Sequence, residues 1–121
     1  MKKNILSIDD SSSVRKLVEF SLKSKGYSVI SAENGQEGLE KLAQTPFDAV
    51  VLDINMPKMD GFEFLKKIKS DKAYRQISVV MLSTECQDKD REKAIKLGAT
   101  GYLVKPFKPT ELISLMTKIL G

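Results

Sequence analysis

Three acids carry the first chemical signal of this chain. Asp9 and Asp10 stand side by side after the apolar run NILSI, and Asp53 closes the apolar run AVVLD. Two further residue types end similar runs: the hydroxyl of Ser83 after ISVVML, and the ammonium of Lys105 after YLV. Brought together, three carboxylates repel one another and raise their pKa values unless a positive charge joins them. A hard divalent cation meets that need, because Mg2+ prefers oxygen ligands and requires only one or two direct carboxylates. The backbone carbonyl of Asn55 offers one more oxygen. A carboxylate surrounded by Mg2+, a lysine and a hydroxyl makes a site for an anion with several oxygens, such as a phosphoryl group. In that arrangement Asp53 is the nucleophile, Mg2+ and Lys105 neutralise phosphoryl oxygens, and Ser83 hydrogen-bonds a third.

Taken singly, each residue has a plainer reading. Asp9 or Asp10 can cap a following helix, Ser83 can do the same, Lys105 can sit in solvent, and Asp53 can be a turn acid before Pro57. What favours chemistry is the position of each at the end of an apolar run, so the elements that carry them decide the matter.

Those elements alternate. Asn4 to Ile8 reads as a first strand, followed by N-cap candidates Ser11, Ser12 and Ser13 and a helix marked by Val14, Leu17, Val18 and Leu22, with Gly26 at its end. Tyr27 to Ala32 is a second strand. Asn34-Gly35 then punctuates, and a weaker helix with Leu39, Leu42 and Ala43 stops before Pro46. Ala49 to Asp53 has no polar alternation, as expected of a strand buried on both faces, and Pro57 forbids its continuation. After Asp60-Gly61 a third helix shows Phe62, Leu65 and Ile68 on its inner face and Lys66, Lys67 and Lys69 outside.

Ile77 to Leu82 is a fourth strand, and a charged helix from about Gln87 to Leu97 follows, with Ala94, Ile95 and Leu97 as its apolar contribution and Gly98 as its stop. Tyr102 to Val104 is a short fifth strand. The last helix, from about Pro109, carries Leu112, Leu115, Met116 and Ile119, and Ile113 and Leu120 widen that stripe. Five strands alternating with five helices predict an α/β fold, a doubly wound parallel sheet covered on both faces, with all strand ends of one kind at a single edge. Strand order does not follow from alternation.

Composition narrows the function further. A chain of 121 residues is expected to form one domain, 1–121, large enough for a core without staples. Histidine is absent, which excludes His-dependent triads, imidazole-based zinc sites and a His phosphate carrier within the chain. Cys86 is the one cysteine, so an internal disulfide is excluded. A net charge of +4 permits an acidic partner without requiring nucleic acid, and no aromatic or arginine cluster interleaves with the lysines of the third helix. Neither an export signal nor a membrane span is expected, and the default compartment is the cytoplasm.

Together, Asp9-Asp10, Asp53 in VLDINMP, Asp60-Gly61, Ser83 after ISVVML and Lys105-Pro106-Phe107 after GATGYLV resemble the receiver domain of two-component response regulators, along the whole chain. The resemblance implies a flavodoxin-like, CheY-like (βα)5 fold with strand order 2-1-3-4-5, which flavodoxin and the chemotaxis regulator CheY share. It implies that Asp53 accepts a phosphoryl group from a sensor histidine kinase. Mg2+, with Mn2+ as a substitute, would be held by Asp10, Asp53 and the Asn55 carbonyl, with Asp9 acting through water or hydrogen bonds.

By the same resemblance Ser83 and Tyr102 are the switching pair, the Lys105–Pro106 bond is cis, and Asn55 and Glu85 tune dephosphorylation. The chain would then be a stand-alone, non-enzymatic switch that engages a protein target through the face of its fourth helix, fifth strand and fifth helix, in a chemotaxis-like role. It would carry no DNA-binding domain, and would be a monomer or a weak dimer that depends on phosphorylation. Two alternatives stay open. A phosphorelay intermediate would pass the group on to a histidine phosphotransfer protein. An aspartyl phosphatase of the haloacid-dehalogenase type would need a second acid where this chain has Asn55.

Overall fold

Five parallel strands form one sheet in the order β2-β1-β3-β4-β5, where β1 is Asn4–Ile8, β2 Ser28–Ala32, β3 Ala49–Asp53, β4 Ser78–Ser83 and β5 Gly101–Val104. The computed structural model describes residues 2–56, 59–84 and 88–120. Pro57, Glu85, Cys86 and Gln87, all singled out in the sequence, lie outside the described residues. Each strand is followed by a helix: α1 Ser12–Lys23, α2 Gly35–Gln44, α3 Gly61–Ser70, α4 Asp88–Lys96 and α5 Pro109–Leu120. This is the expected doubly wound, CheY-like order, and it places β1 and β3 side by side.

Alternate residues of the buried strands feed two cores. Leu6, Ile8, Val50, Leu52, Val79 and Met81 meet Leu42 of α2, Phe64, Leu65 and Ile68 of α3, and Ala94 of α4. Ile5, Ala49, Val51, Val80 and Leu82 meet Val18 and Leu22 of α1 and Leu112 and Met116 of α5. All five residues of β3 are buried, as a strand with helices on both faces demands. At about 25 cal/mol per Å² of apolar surface, these two layers are the main favourable contribution to the fold.

Local chemistry sets the helix ends. The side chains of Ser11, Asn34 and Asp60 accept the amide hydrogens of Val14, Glu37 and Glu63, so each caps its helix; of the three N-terminal serines, Ser11 is the cap. Gly26 and Gly98, after α1 and α4, take left-handed φ values of +88° and +104°, which a side chain would resist.

Several sequence expectations need correction. Tyr27 and Ile77 are not strand residues, because their amides close turns onto the Leu22 and Tyr74 carbonyls. The fifth strand begins one residue earlier than expected, at Gly101. On α4 only Ala94 is buried, while Ile95 is 57% exposed. Ala43 on α2 is exposed as well. Lys69 is not a solvated lysine. It is half-buried, burial lowers its pKa, and its ammonium donates to the carbonyls of Arg75 at 3.0 Å and Ile77 at 2.7 Å. Ile113 and Leu120, which widen the α5 stripe, are partly buried against the second core.

Candidate functional site

The carboxyl edge of the sheet gathers the residues the sequence singled out. Asp53 is the last residue of β3 and is 4% exposed; Asp9, one residue beyond β1, is 1% exposed. Asp10 follows on the outer side and is exposed. These three acids each present a carboxylate oxygen within 4.8 Å of the others. From the opposite side of the edge comes Lys105, just past β5. Its ammonium lies 2.8 Å from Asp9 Oδ2 and 3.2 Å from Asp53 Oδ1. Ser83, buried at the end of β4, is one residue past Leu82, the register partner of Asp53. Its carbonyl accepts the Lys105 amide hydrogen at 2.7 Å, which ties the ends of β4 and β5 together. The Lys105–Pro106 peptide is cis.

The main chain around Asp53 is packed without slack. A Cβ on Gly61 would stand 2.5 Å from the Asp53 carbonyl oxygen and 2.7 Å from the Ile54 Cα. Only glycine permits α3 to start so close to the end of β3. The Gly61 amide donates to the Ile54 carbonyl at 2.8 Å, and the Ile54 amide to the Leu82 carbonyl at 3.0 Å, so the loop is pinned as it leaves the sheet. Asn55 follows, exposed at the lip, and its amide lies 3.4 Å from Asp53 Oδ1.

Asp9 is held on every side. Its amide donates to the Ala32 carbonyl, Oδ1 accepts from the Ser11 amide, Oδ2 accepts from Lys105, and its carbonyl accepts from Arg15 Nη1 at 2.6 Å. Arg15 was not visible as a site residue in the sequence. The signal was there in principle: Arg15 lies in the first turns of α1, and helix side chains lean toward the N-terminus, here back over the acidic loop.

The electrostatics are those of a charge-deficient pocket. Burial, and then the neighbouring Asp9 carboxylate, raise the Asp53 pKa from 3.8 to about 6, against the opposing pull of Lys105. Burial by itself would lower the Lys105 pKa, but the carboxylates of Asp9 and Asp53 outweigh it, and the ammonium is held above its usual range. Three carboxylates against one ammonium leave an excess of two negative charges, the charge of one divalent cation. The donors are all oxygens, so the set suits a hard cation such as Mg2+ and not a thiolate- or imidazole-seeking metal.

Tyr102 of β5 is half-buried against the first core, with Met81 as its register partner. Of the sequence candidates, the edge therefore brings together Asp9, Asp10, Asp53, Asn55, Ser83 and Lys105. Tyr102 stands one strand residue before Leu103, deeper along β5.

Comparison with known proteins agrees with this geometry. Residues 5–117 match the family described as the response regulator receiver domain. Chemotaxis protein CheY1 of Helicobacter pylori is 37% identical over 119 residues, covering 97% of this chain and 96% of that protein. The alkaline phosphatase synthesis transcriptional regulatory protein PhoP of Bacillus subtilis is 36% identical over 120 residues, but this chain spans only 49% of its length. Among solved structures, chemotaxis protein CheY4 of Vibrio cholerae superposes with a TM-score of 0.94 at 38% identity, covering 99% of this chain and 100% of that one. With the strand order, the acidic edge and the matched residues in agreement, the chain belongs to the response regulator receiver domain family, in its CheY-like form.

Proposed function

We propose that this chain is a phospho-accepting signalling switch whose acceptor is Asp53. The observation that carries the reading is the pairing of a buried strand-end carboxylate with a partly buried ammonium. Asp53 Oδ1 lies 3.2 Å from Lys105, inside an acid cluster two charges short of neutrality. An Asp53 oxygen attacks the phosphorus of a phosphohistidine on a sensor histidine kinase. The new O–P bond forms as the P–N bond breaks, and the histidine leaves with the kinase. Lys105 stays beside the growing charge, and the Ser83 hydroxyl donates to a phosphoryl oxygen. Asp10, Asp53 and the Asn55 carbonyl would hold Mg2+ or Mn2+, with Asp9 behind them; a bound dication supplies charge neutralisation at the phosphoryl oxygens.

New contacts to Ser83 favour one of two packings of Tyr102, which alters the α4–β5–α5 face offered to a protein target. In this role residues 1–121 act as a single receiver domain. Asn55, at the lip, borders the approach of hydrolytic water; Glu85 is assigned the same tuning role from sequence alone. A chemotaxis-like output is supported by relatives named for chemotaxis that this chain covers almost end to end. A phosphorelay intermediate would use the same site and differ in handing the group to a histidine phosphotransfer protein.

The test is incubation with acetyl phosphate and Mg2+, followed by intact mass. One added phosphoryl group is expected in the native chain and none in Asp53→Asn. Equal incorporation in the variant, or none in either, would remove Asp53 as the acceptor.

A further inference from the structure

We infer that Arg15 is a positioning residue for the metal ligand Asp10, acting through the peptide that joins Asp9 to Asp10. The inference rests on the proposed function for the role of Asp10, and it adds a residue to that site.

Asp9 is anchored through its amide, both carboxylate oxygens and its carbonyl. By contrast, among the described residues no hydrogen bond or ion pair holds the exposed carboxylate of Asp10. Its position is set by the main chain before it. The Asp9 carbonyl belongs to the same planar peptide as the Asp10 nitrogen, so whatever fixes that carbonyl fixes the direction in which Asp10 leaves the loop. Arg15 Nη1 makes that bond at 2.6 Å. The Arg15 side chain is only 17% exposed, so the bond is partly shielded from competing water, and a charged donor makes it a strong one. The other end of the guanidinium lies 3.9 Å from Glu33, which is 69% exposed; that pair is long and solvated and adds little. Arg15 therefore stands behind Asp10 as an outer-shell partner stands behind a ligand, and removal of such partners typically weakens metal binding by about 10- to 100-fold.

The sign of the effect separates positioning from charge. A guanidinium near a dication site repels the cation, so if Arg15 acted by charge alone, its removal would tighten Mg2+ binding. If it positions Asp10, its removal weakens binding although a repelling charge has gone.

The experiment is calorimetric titration of Mg2+ into the unphosphorylated native chain, Arg15→Met, Arg15→Lys and Glu33→Gln, with the melting temperature of each metal-free protein alongside. Met keeps the helix propensity and the aliphatic stem; Lys keeps the charge and one donor for the same carbonyl. The expected result is a Kd raised about 10-fold or more in Arg15→Met, an intermediate value in Arg15→Lys, and a native value in Glu33→Gln. An unchanged or lowered Kd in Arg15→Met overturns the inference while leaving the phospho-acceptor reading intact. A loss in Arg15→Met that Arg15→Lys does not relieve at all, together with a fall in melting temperature, reduces Arg15 to a structural residue. Failure of the native chain to bind Mg2+ would overturn the metal assignment, and the role of Arg15 with it.

Discussion

Replacing Asp53 by asparagine in the metal-free protein should stabilise the fold at neutral pH and do nothing in acid. Asparagine has the shape of the protonated acid without its charge. In the folded chain Asp53 ionises near pH 6 in place of 3.8, because it is buried and faces Asp9. An acid whose folded pKa is raised binds its proton more tightly in the native state, so its ionisation costs stability. The cost is absent below about pH 3.8, grows as the pH rises from there to about 6, and is complete above that. At about 1.4 kcal/mol per pH unit it comes to about 3 kcal/mol. That is a large part of the 5–15 kcal/mol typical of a domain. The assay is urea unfolding of both proteins followed by circular dichroism in EDTA, from pH 4.5 to 8, since the chain contains no tryptophan to report by fluorescence. The difference between the two should grow with pH and level off above pH 7. In Mg2+ the native protein should recover part of the deficit, because a ligand that binds only the folded state stabilises it by mass action. An Asp53→Asn protein less stable than the native one at pH 7.5, or a difference independent of pH, would show that Lys105 outweighs burial and Asp9 and would refute the account of the site as charge-deficient.

Two other substitutions test the scaffold under the site. Gly61→Ala should destabilise by about 1–3 kcal/mol, because the new methyl group must displace the main chain of Asp53 and Ile54; slower phosphorylation by acetyl phosphate should accompany the lower melting temperature. Lys69→Met should cost about 1–3 kcal/mol through the orphaned Ile77 carbonyl, with phosphorylation unchanged, since Lys69 sits at the other end of α3 from the acidic edge.

The relation between sequence and structure differs from residue to residue. The acids, Ser83 and Lys105 were legible because each ends an apolar run, and a run of that kind has few ways to fold other than as a buried strand. The serine cap of α1 and the glycines that end α1 and α4 were legible because they answer to local hydrogen bonding and φ. Asn34 and Asp60, the caps of α2 and α3, read in sequence only as turn and loop residues. Tyr27 and Ile77 were misplaced because a β-branched or aromatic residue suits a strand equally well just before the ladder begins. Only the turn bonds to the Leu22 and Tyr74 carbonyls exclude them. Lys69 was misread because the three lysines of the KKIK stretch look alike until the α3–β4 loop folds over one of them.

Taken by itself, then, the sequence determined the alternating elements, the two-sided burial of the strands and the set of polar strand ends, since these depend on neighbours a few positions apart. Tertiary structure decided which strands are adjacent, and so which ends meet. It set Asp9 and Lys105, distant along the chain, 2.8 Å apart. It also gave Asp53 its raised pKa, held Arg15 against the acidic loop, and made glycine obligatory at position 61. Those outcomes arise from contacts between elements, and local pattern carries no information about which elements will touch.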